Sequence, residues 1–86
     1  MRLLQQQRYL LHQGIEASAE IMETVLFEDK VRNMLPVRLW IRLKKADGTF
    51  IYTLTYTLIT QNHIPGKGQI VKIKYLPDNL STILIL

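Results

Sequence analysis

Two runs of alternating apolar and polar residues, joined by a tight turn, constrain the fold of this chain more than any other feature. The runs are residues 37–44 and 50–58, and Asp47-Gly48 lies between them. Strict alternation predicts β-strands, and Asp-Gly between two such strands predicts a hairpin. Because alternate side chains of a strand point to opposite faces, the hairpin also decides which residues form the core.

The register of this hairpin depends on the length of its loop. A two-residue turn at Ala46-Asp47, or a four-residue loop over 45–48, matches the apolar phases of the two strands. The predicted pairs are Leu43 with Phe50, Ile41 with Tyr52, Leu39 with Leu54 and Val37 with Tyr56. An unbulged three-residue loop would send every side chain of one strand to the other face. A left-handed Gly48 in a bulge is an alternative that would restore the match.

Length and composition predict one small globular domain. The 86 residues, 48% of them apolar, fit a single core. The absence of cysteine excludes disulfides, thiolate metal sites and cysteine nucleophiles. With two histidines and no ligand spacing, neither a metal nor a cofactor is predicted. No apolar stretch approaches the about 20 residues that cross a bilayer, and no signal peptide is recognisable, so the chain as given is expected to be soluble.

The remaining sequence adds one helix and three strands to the hairpin. The predicted elements are a helix over 2–13 and strands over 15–27, 37–44, 50–58, 70–75 and 81–86. Gly14 marks the end of the helix. Glu23 breaks the apolar phase of the first strand, which indicates either a bulge or the strand leaving the core there. A charged connection over 28–35 and a loop over 60–69 separate the strands.

Five short strands most economically close into a small barrel, because closure removes exposed strand edges. We therefore predict a single mainly β domain over residues 1–86. It is a five-stranded antiparallel barrel of OB-like or SH3-like type over 15–86, with one short N-terminal helix over 1–13. An open sheet covered by the helix is the alternative.

The predicted register divides tyrosines and threonines between the inside and the outside of the barrel. The inward set is Tyr52, Tyr56 and Tyr75. These tyrosines would line a barrel filled by its own side chains, and a small-molecule pocket is the alternative. The outward set is Thr53, Thr55 and Thr57. These threonines are expected on a solvated face, where they serve strand propensity alone.

The net charge of +4 is unevenly distributed along the chain. Most acidic residues lie in 16–29, and most basic residues lie in 30–74. A basic half can attract nucleic acid or an anionic membrane surface. We favour the alternative that the acidic first strand lies beside the basic second strand, so that the charges pair within the fold.

Trp40 lies between Arg38 and Arg42 on the predicted outer face of the hairpin. An exposed aromatic ring flanked by guanidinium groups could stack a base while the arginines hold phosphates. The candidate partner or nucleic-acid surface is Arg38, Trp40, Arg42, Lys44, Lys72 and Lys74, with Tyr9 as a further candidate. The favoured interpretation is that the N-terminal helix covers Trp40, while the arginines pair with Glu16 or Glu20.

Two further segments have alternative interpretations. The C-terminal run over 82–86 is apolar on both faces, so it either plugs between helix and barrel or pairs with a second chain. The candidate self-association strand is Ile83, Ile85 and Leu86. His63 and the loop over 65–68 do not match a phosphate-binding motif. His63 with Glu28-Asp29 could form a hydrolytic or metal site only if the fold brought them together by chance. No spacing of nucleophile and base supports such a site, so no catalytic residue is predicted.

The order of these signals resembles the DUF3592 group of uncharacterised bacterial domains over residues 14–86. The resemblance lies in Gly14–Ile21, Pro36–Leu43, Asp47-Gly48 and Gly68–Asn79. Members of that group commonly attach the domain to transmembrane helices, which this sequence does not contain. The resemblance therefore implies membrane attachment only through flanking segments. The group has no established catalytic residues, and none is carried over.

Together these features predict a non-enzymatic structural or protein-interaction module. The resemblance implies an accessory domain of a bacterial membrane-associated or secretory assembly. A protein partner or self-association is expected, and no cofactor. The alternative function is an OB-like oligonucleotide-binding module that uses the basic and aromatic strand face.

Overall fold

The computed structural model describes residues 2–27 and 33–86. The elements are α1 (Arg2–Gln13), β1 (Ile15–Leu26), β2 (Met34–Lys44), β3 (Phe50–Thr60), a 3₁₀ turn (Gln61–His63), β4 (Ile70–Leu76) and β5 (Asn79–Ile85). The predicted helix and the five predicted strands are confirmed. β2 begins earlier than predicted, at Met34, and residues 28–32 of the predicted connection lie outside the described residues.

The strands close into a barrel in the order β1-β2-β3-β5-β4. The pairs β1–β2, β1–β4, β2–β3 and β4–β5 are antiparallel, whereas β3 and β5 are parallel. The predicted five-stranded barrel is confirmed, but the prediction that all its strands are antiparallel is wrong. Strand direction cannot alternate around a closed ring with an odd number of members, so one neighbouring pair has to be parallel.

The barrel interior is built on the inward phase of β2. Val37, Leu39, Ile41 and Leu43 are buried, as the alternation predicts, and Leu35 is buried although the predicted connection included it. The four predicted residues pack with Ala19 and Ile21 of β1, Ile73 and Tyr75 of β4, and Ile83 of β5. The bulge predicted near Glu23 is also confirmed, because the β1–β2 register shifts between Ile21 and Glu23.

The β2–β3 hairpin differs from the predicted register by one residue. The Lys45 amide donates to the Thr49 carbonyl at 2.8 Å, and the Gly48 amide donates to the Lys45 carbonyl at 3.0 Å. Gly48 is left-handed, with φ at 90°. This three-residue loop with a glycine bulge pairs Lys44 with Phe50 and Leu43 with Ile51. The bulge therefore does not restore the predicted match; it exchanges the two faces of β3.

The exchange reverses the predicted positions of β3 side chains. Thr55 and Thr57 are fully buried, whereas Tyr52 and Tyr56 are exposed. The predictions that these tyrosines line the barrel and that the threonines lie on a solvated face are therefore wrong, and only Tyr75 is buried as predicted. Either set of alternate side chains on β3 can be buried, because the threonines of one set carry a methyl group and a β-branched shape and the other set is apolar or aromatic. The turn, rather than hydrophobicity, decides the register.

α1 packs against β3, β4 and β5. Leu10 is buried, and the buried Gln7 amide nitrogen donates to the Ile83 carbonyl at 2.7 Å. The prediction that the helix covers Trp40 is wrong, because 45% of the Trp40 surface is exposed. A helix that docks on the β3–β5–β4 side leaves the outer face of β2 open.

β5 is one of the strands of the closed barrel, and α1 packs against it, so it is not a separate plug between helix and barrel. It pairs with β3 and with β4, so it is not a free edge for a second chain. Of the candidate self-association residues, Ile83 is fully buried, Ile85 packs against the core and Leu86 is exposed. Self-association by edge pairing of this strand does not fit that placement.

Candidate functional site

The observed register brings aromatic and basic side chains together on the outside of β2 and β3. The cross-strand pairs there are Arg38 with Tyr56, Trp40 with Leu54, Arg42 with Tyr52 and Lys44 with Phe50. We call this set the β2–β3 face. Each pair contributes one aromatic ring, and each pair except Trp40–Leu54 also contributes a cation.

The aromatic rings of the β2–β3 face are open to solvent. Their exposed fractions are 45% for Trp40, 47% for Phe50, 65% for Tyr52 and 37% for Tyr56. Phe27, just after β1, extends this surface, because its ring stacks on Tyr56 with centroids 6.4 Å apart and an interplanar angle of 17°. The predicted register left Trp40 as the single outward aromatic of the hairpin. The observed register surrounds it with others.

Arg42 is held between an acid and a ring. Its Nη2 lies 2.8 Å from Oε1 of Glu20 on β1, and its guanidinium carbon lies 4.5 Å from the centroid of the Phe50 ring. The predicted pairing of charges between the first two strands is confirmed at this ion pair. A guanidinium group has five N–H donors, so one ion pair leaves donors of Arg42 for a ligand.

The two arginines share a further feature. The Nε atoms of Arg38 and Arg42 are buried and have no hydrogen-bond partner within residues 2–27 and 33–86. The aliphatic parts of these side chains are therefore packed against the sheet, while 37% of the Arg42 side chain remains exposed. This packing restricts the motion of the guanidinium groups compared with those of fully solvated arginine side chains.

The three predicted lysines have different surroundings. Lys44 is exposed on the β2–β3 face. Lys72 lies on β4, and Ser18 of β1 pairs with both Lys44 and Lys72. Two strand spacings, about 10 Å, therefore separate these lysines along the sheet. Lys74 donates to the Leu11 carbonyl at 2.7 Å, so it stabilises the end of α1 and is not part of the β2–β3 face.

A groove of about 220 Å³ opens beside the Lys44 end of the β2–β3 face. Its polar lining comes from Ser18, Glu20, Arg42 and Lys44, and its apolar walls come mainly from Phe50 and Ile70. We call it the β1–β2 groove. It is the place where the cations of β2, the acid of β1 and an exposed aromatic ring meet.

Other candidates lie away from this surface. Tyr9 of α1 lines a larger groove of about 450 Å³ with Leu76 and Asn79, so it does not join the β2–β3 face. His63 Nδ1 lies 2.7 Å from the Thr60 hydroxyl. Glu28-Asp29, its hypothetical partners, lie outside the described residues. Within the described parts of the chain, no His, Asp or Glu side chains cluster as a metal site.

No helix within residues 2–27 and 33–86 combines the length and the apolar character that crossing a membrane requires. No family model, curated protein or solved structure matches the chain. The resemblance to the DUF3592 domains therefore stays a prediction, and the function has to be inferred from the β2–β3 face.

Proposed function

We propose that this chain is an OB-like module that binds single-stranded nucleic acid on the β2–β3 face. The observation that carries the proposal is the pairing of exposed rings with cations across β2 and β3. Proteins that bind single strands combine a positive track for the backbone with aromatic side chains on which bases stack. The β2–β3 face offers both components.

The strand order supports an OB-like barrel over an SH3-like one. β1, β2 and β3 are consecutive neighbours, and β4 returns to pair with β1 instead of β3. This return is the Greek-key connection. OB-folds are five-stranded Greek-key barrels that bind oligonucleotides on the face of their second and third strands. The aromatic and basic residues lie on those same strands here.

The chemistry of the face favours binding without base-specific recognition. Stacking on Trp40 or Tyr52 accepts any base, because every base has a π-face, and it is worth about 1–3 kcal/mol per base. Arg38, Arg42 and Lys44 would neutralise phosphates, so affinity would fall as salt displaces that interaction. The net charge of +4 favours the approach of a polyanion.

The test is fluorescence anisotropy with a labelled thymidine 12-mer at several salt concentrations. Trp40→Ala should weaken binding about thirtyfold, which corresponds to the middle of the range for loss of one stacked base. Tyr9→Ala is the matched control, because Tyr9 is an exposed aromatic residue outside the face. Absence of salt-sensitive binding, or an equal loss in both variants, would refute the proposal.

A second proposal keeps the module non-enzymatic and assigns the β2–β3 face to a protein partner. The stacked Phe27–Tyr56 pair and the exposed Trp40 favour it, because aromatic residues and arginine are enriched among interface hot spots. On this proposal the domain is an accessory module of a bacterial membrane-associated or secretory assembly. Where the partner is a second copy of this chain, Trp40→Ala would reduce its concentration-dependent association in sedimentation experiments, while the oligonucleotide would not bind.

A further inference from the structure

We infer that the β1–β2 groove is the phosphate subsite of the β2–β3 face, and that Glu20 is a built-in competitor for the phosphate. This inference rests on the proposed nucleic-acid function. It assigns a role to the one acid that forms an ion pair with a cation of the face within the described residues.

The groove has the composition of an anion site. Arg42 and Lys44 line it from β2, and Ser18 brings a hydroxyl group from β1. Arginine binds phosphate through parallel N–H donors, and a hydroxyl group donates readily to a phosphate oxygen. A phosphodiester of a strand that lies along the β2–β3 face would meet these three groups together.

Arg42 is oriented toward this position before any ligand arrives. The Phe50 ring lies 4.5 Å from the guanidinium carbon, and the Nε of Arg42 is buried against the sheet. A cation held over a ring loses little further freedom when a phosphate binds. Fixed donors of this kind are more favourable for phosphate binding than those of a flexible surface chain.

The Glu20 carboxylate binds the side of the Arg42 guanidinium group that faces the β1–β2 groove, where a phosphate would bind. Its Oε1 lies 2.8 Å from Nη2, and both side chains line the groove. A carboxylate and a phosphate present similar pairs of acceptor oxygens to a guanidinium group. The ion pair is half-buried, with 37% of the Arg42 side chain and 28% of the Glu20 side chain accessible. Ion pairs that solvent reaches are weak, so a phosphate can displace Glu20, but it then also meets the negative charge of the displaced carboxylate. Glu20 therefore lowers the affinity and limits the number of counterions released on binding.

The experiment measures the thymidine 12-mer affinity of Glu20→Gln over a range of salt concentrations. We expect about threefold tighter binding at low salt, the scale of an exposed ion pair. The slope of log K against log salt should steepen by about 0.7, the value for one more phosphate contact on a single strand. Asp78→Asn is the matched control, because it changes the net charge equally from the turn between β4 and β5.

A double-mutant cycle separates a local effect from a general one. In an Arg42→Gln background, the gain from Glu20→Gln should shrink, because the cation for which Glu20 competes is gone and only the repulsion between carboxylate and phosphate remains. Equal effects of Glu20→Gln and Asp78→Asn, or a gain of undiminished size without Arg42, would overturn the phosphate subsite and leave the proposed function standing. If the unmodified protein does not bind the oligonucleotide at all, the proposed function itself fails.

Discussion

The hydroxyl of Thr57 donates a hydrogen bond to Oε1 of Gln7 at 3.2 Å, and both residues are buried. The same Gln7 side chain donates from Nε2 to the Ile83 carbonyl at 2.7 Å. One glutamine therefore joins α1 to β3 and to β5. The docking of the short helix depends on a buried polar contact as well as on the burial of Leu10.

Thr57→Val should destabilise the fold by about 1–3 kcal/mol, because it leaves the Gln7 acceptor buried without a donor. The test is the free energy of unfolding in urea. Thr55→Val is the matched control on the same strand. Thr55 is fully buried, and its Oγ1 has no partner within the described residues. Removal of that hydroxyl should leave stability unchanged or raise it. Equal losses in the two variants would contradict the role of the Gln7 contact.

The extent of the elements was largely predictable, because alternation and helical spacing are local signals. α1 begins and ends where the spacing indicates, and the Glu23 bulge follows from a break in the apolar phase. The β2–β3 register was not predictable from alternation, since residues 50–58 carry buriable side chains in both phases. A bulged three-residue loop fits Ala46-Asp47-Gly48 as well as the predicted turn does.

Gly48→Ala should destabilise the protein by about 1–2 kcal/mol, the cost of a left-handed conformation for a residue with a Cβ. Gly48 has φ at 90°, and a Cβ there would meet no atom within 4 Å. The whole effect should therefore come from backbone strain. Gly66→Ala is the control, because a Cβ at Gly66 is also free of contacts and Gly66 is not among the positive-φ glycines. We expect Gly66→Ala to be neutral in urea unfolding, and a similar loss in both variants would be evidence against the bulge.

The Asp47 carboxylate stabilises the same turn in a pH-dependent way. Its Oδ1 accepts hydrogen bonds from the Thr49 hydroxyl at 2.6 Å and the Thr49 amide at 2.9 Å. These bonds hold the pKa of Asp47 below its ordinary value of 3.8. Because the folded-state pKa is depressed, the stabilisation is complete above pH 3.8 and is lost as pH falls through the lowered pKa.

An NMR titration of the Asp47 carboxyl carbon measures this pKa directly. Thr49→Ala removes the hydroxyl donor, which is the largest cause of the shift, and should move the pKa of Asp47 back toward 3.8. The Thr49 amide remains in that variant, so the return should be partial. An unchanged titration midpoint in Thr49→Ala would show that the hydroxyl bond does not form in solution.

The candidate site was predictable on β2 and not on β3. Arg38, Trp40 and Arg42 follow from the alternation of one strand, which the core fixes. Phe50 and Tyr52 join them only because the Gly48 bulge exchanges the faces of β3. The backbone conformation of one glycine thus decides whether Trp40 is the single outward aromatic residue of the hairpin or one of several exposed rings. The resulting surface strengthens the case for stacked bases.

The exposure of Trp40 gives the most direct check on this surface. Trp40 is the only tryptophan in the sequence. Fluorescence excited at the long-wavelength edge of tryptophan absorption, where tyrosine does not absorb, therefore reports on this one side chain. With 45% of its surface exposed, its emission should be quenched by acrylamide in the free protein. Bases stacked on Trp40 should quench the emission further and shield it from acrylamide.

Tyr52→Ala is the matched variant for the fluorescence experiment, because Tyr52 lies on the β2–β3 face and leaves the tryptophan in place. It should lower the affinity of the thymidine 12-mer about tenfold, the scale of one lost stacking partner, without changing quenching in the free protein. Blue-shifted emission that acrylamide cannot quench would mean that Trp40 is covered in solution. The β2–β3 face could then no longer serve as a stacking surface, and both proposals for it would fail together.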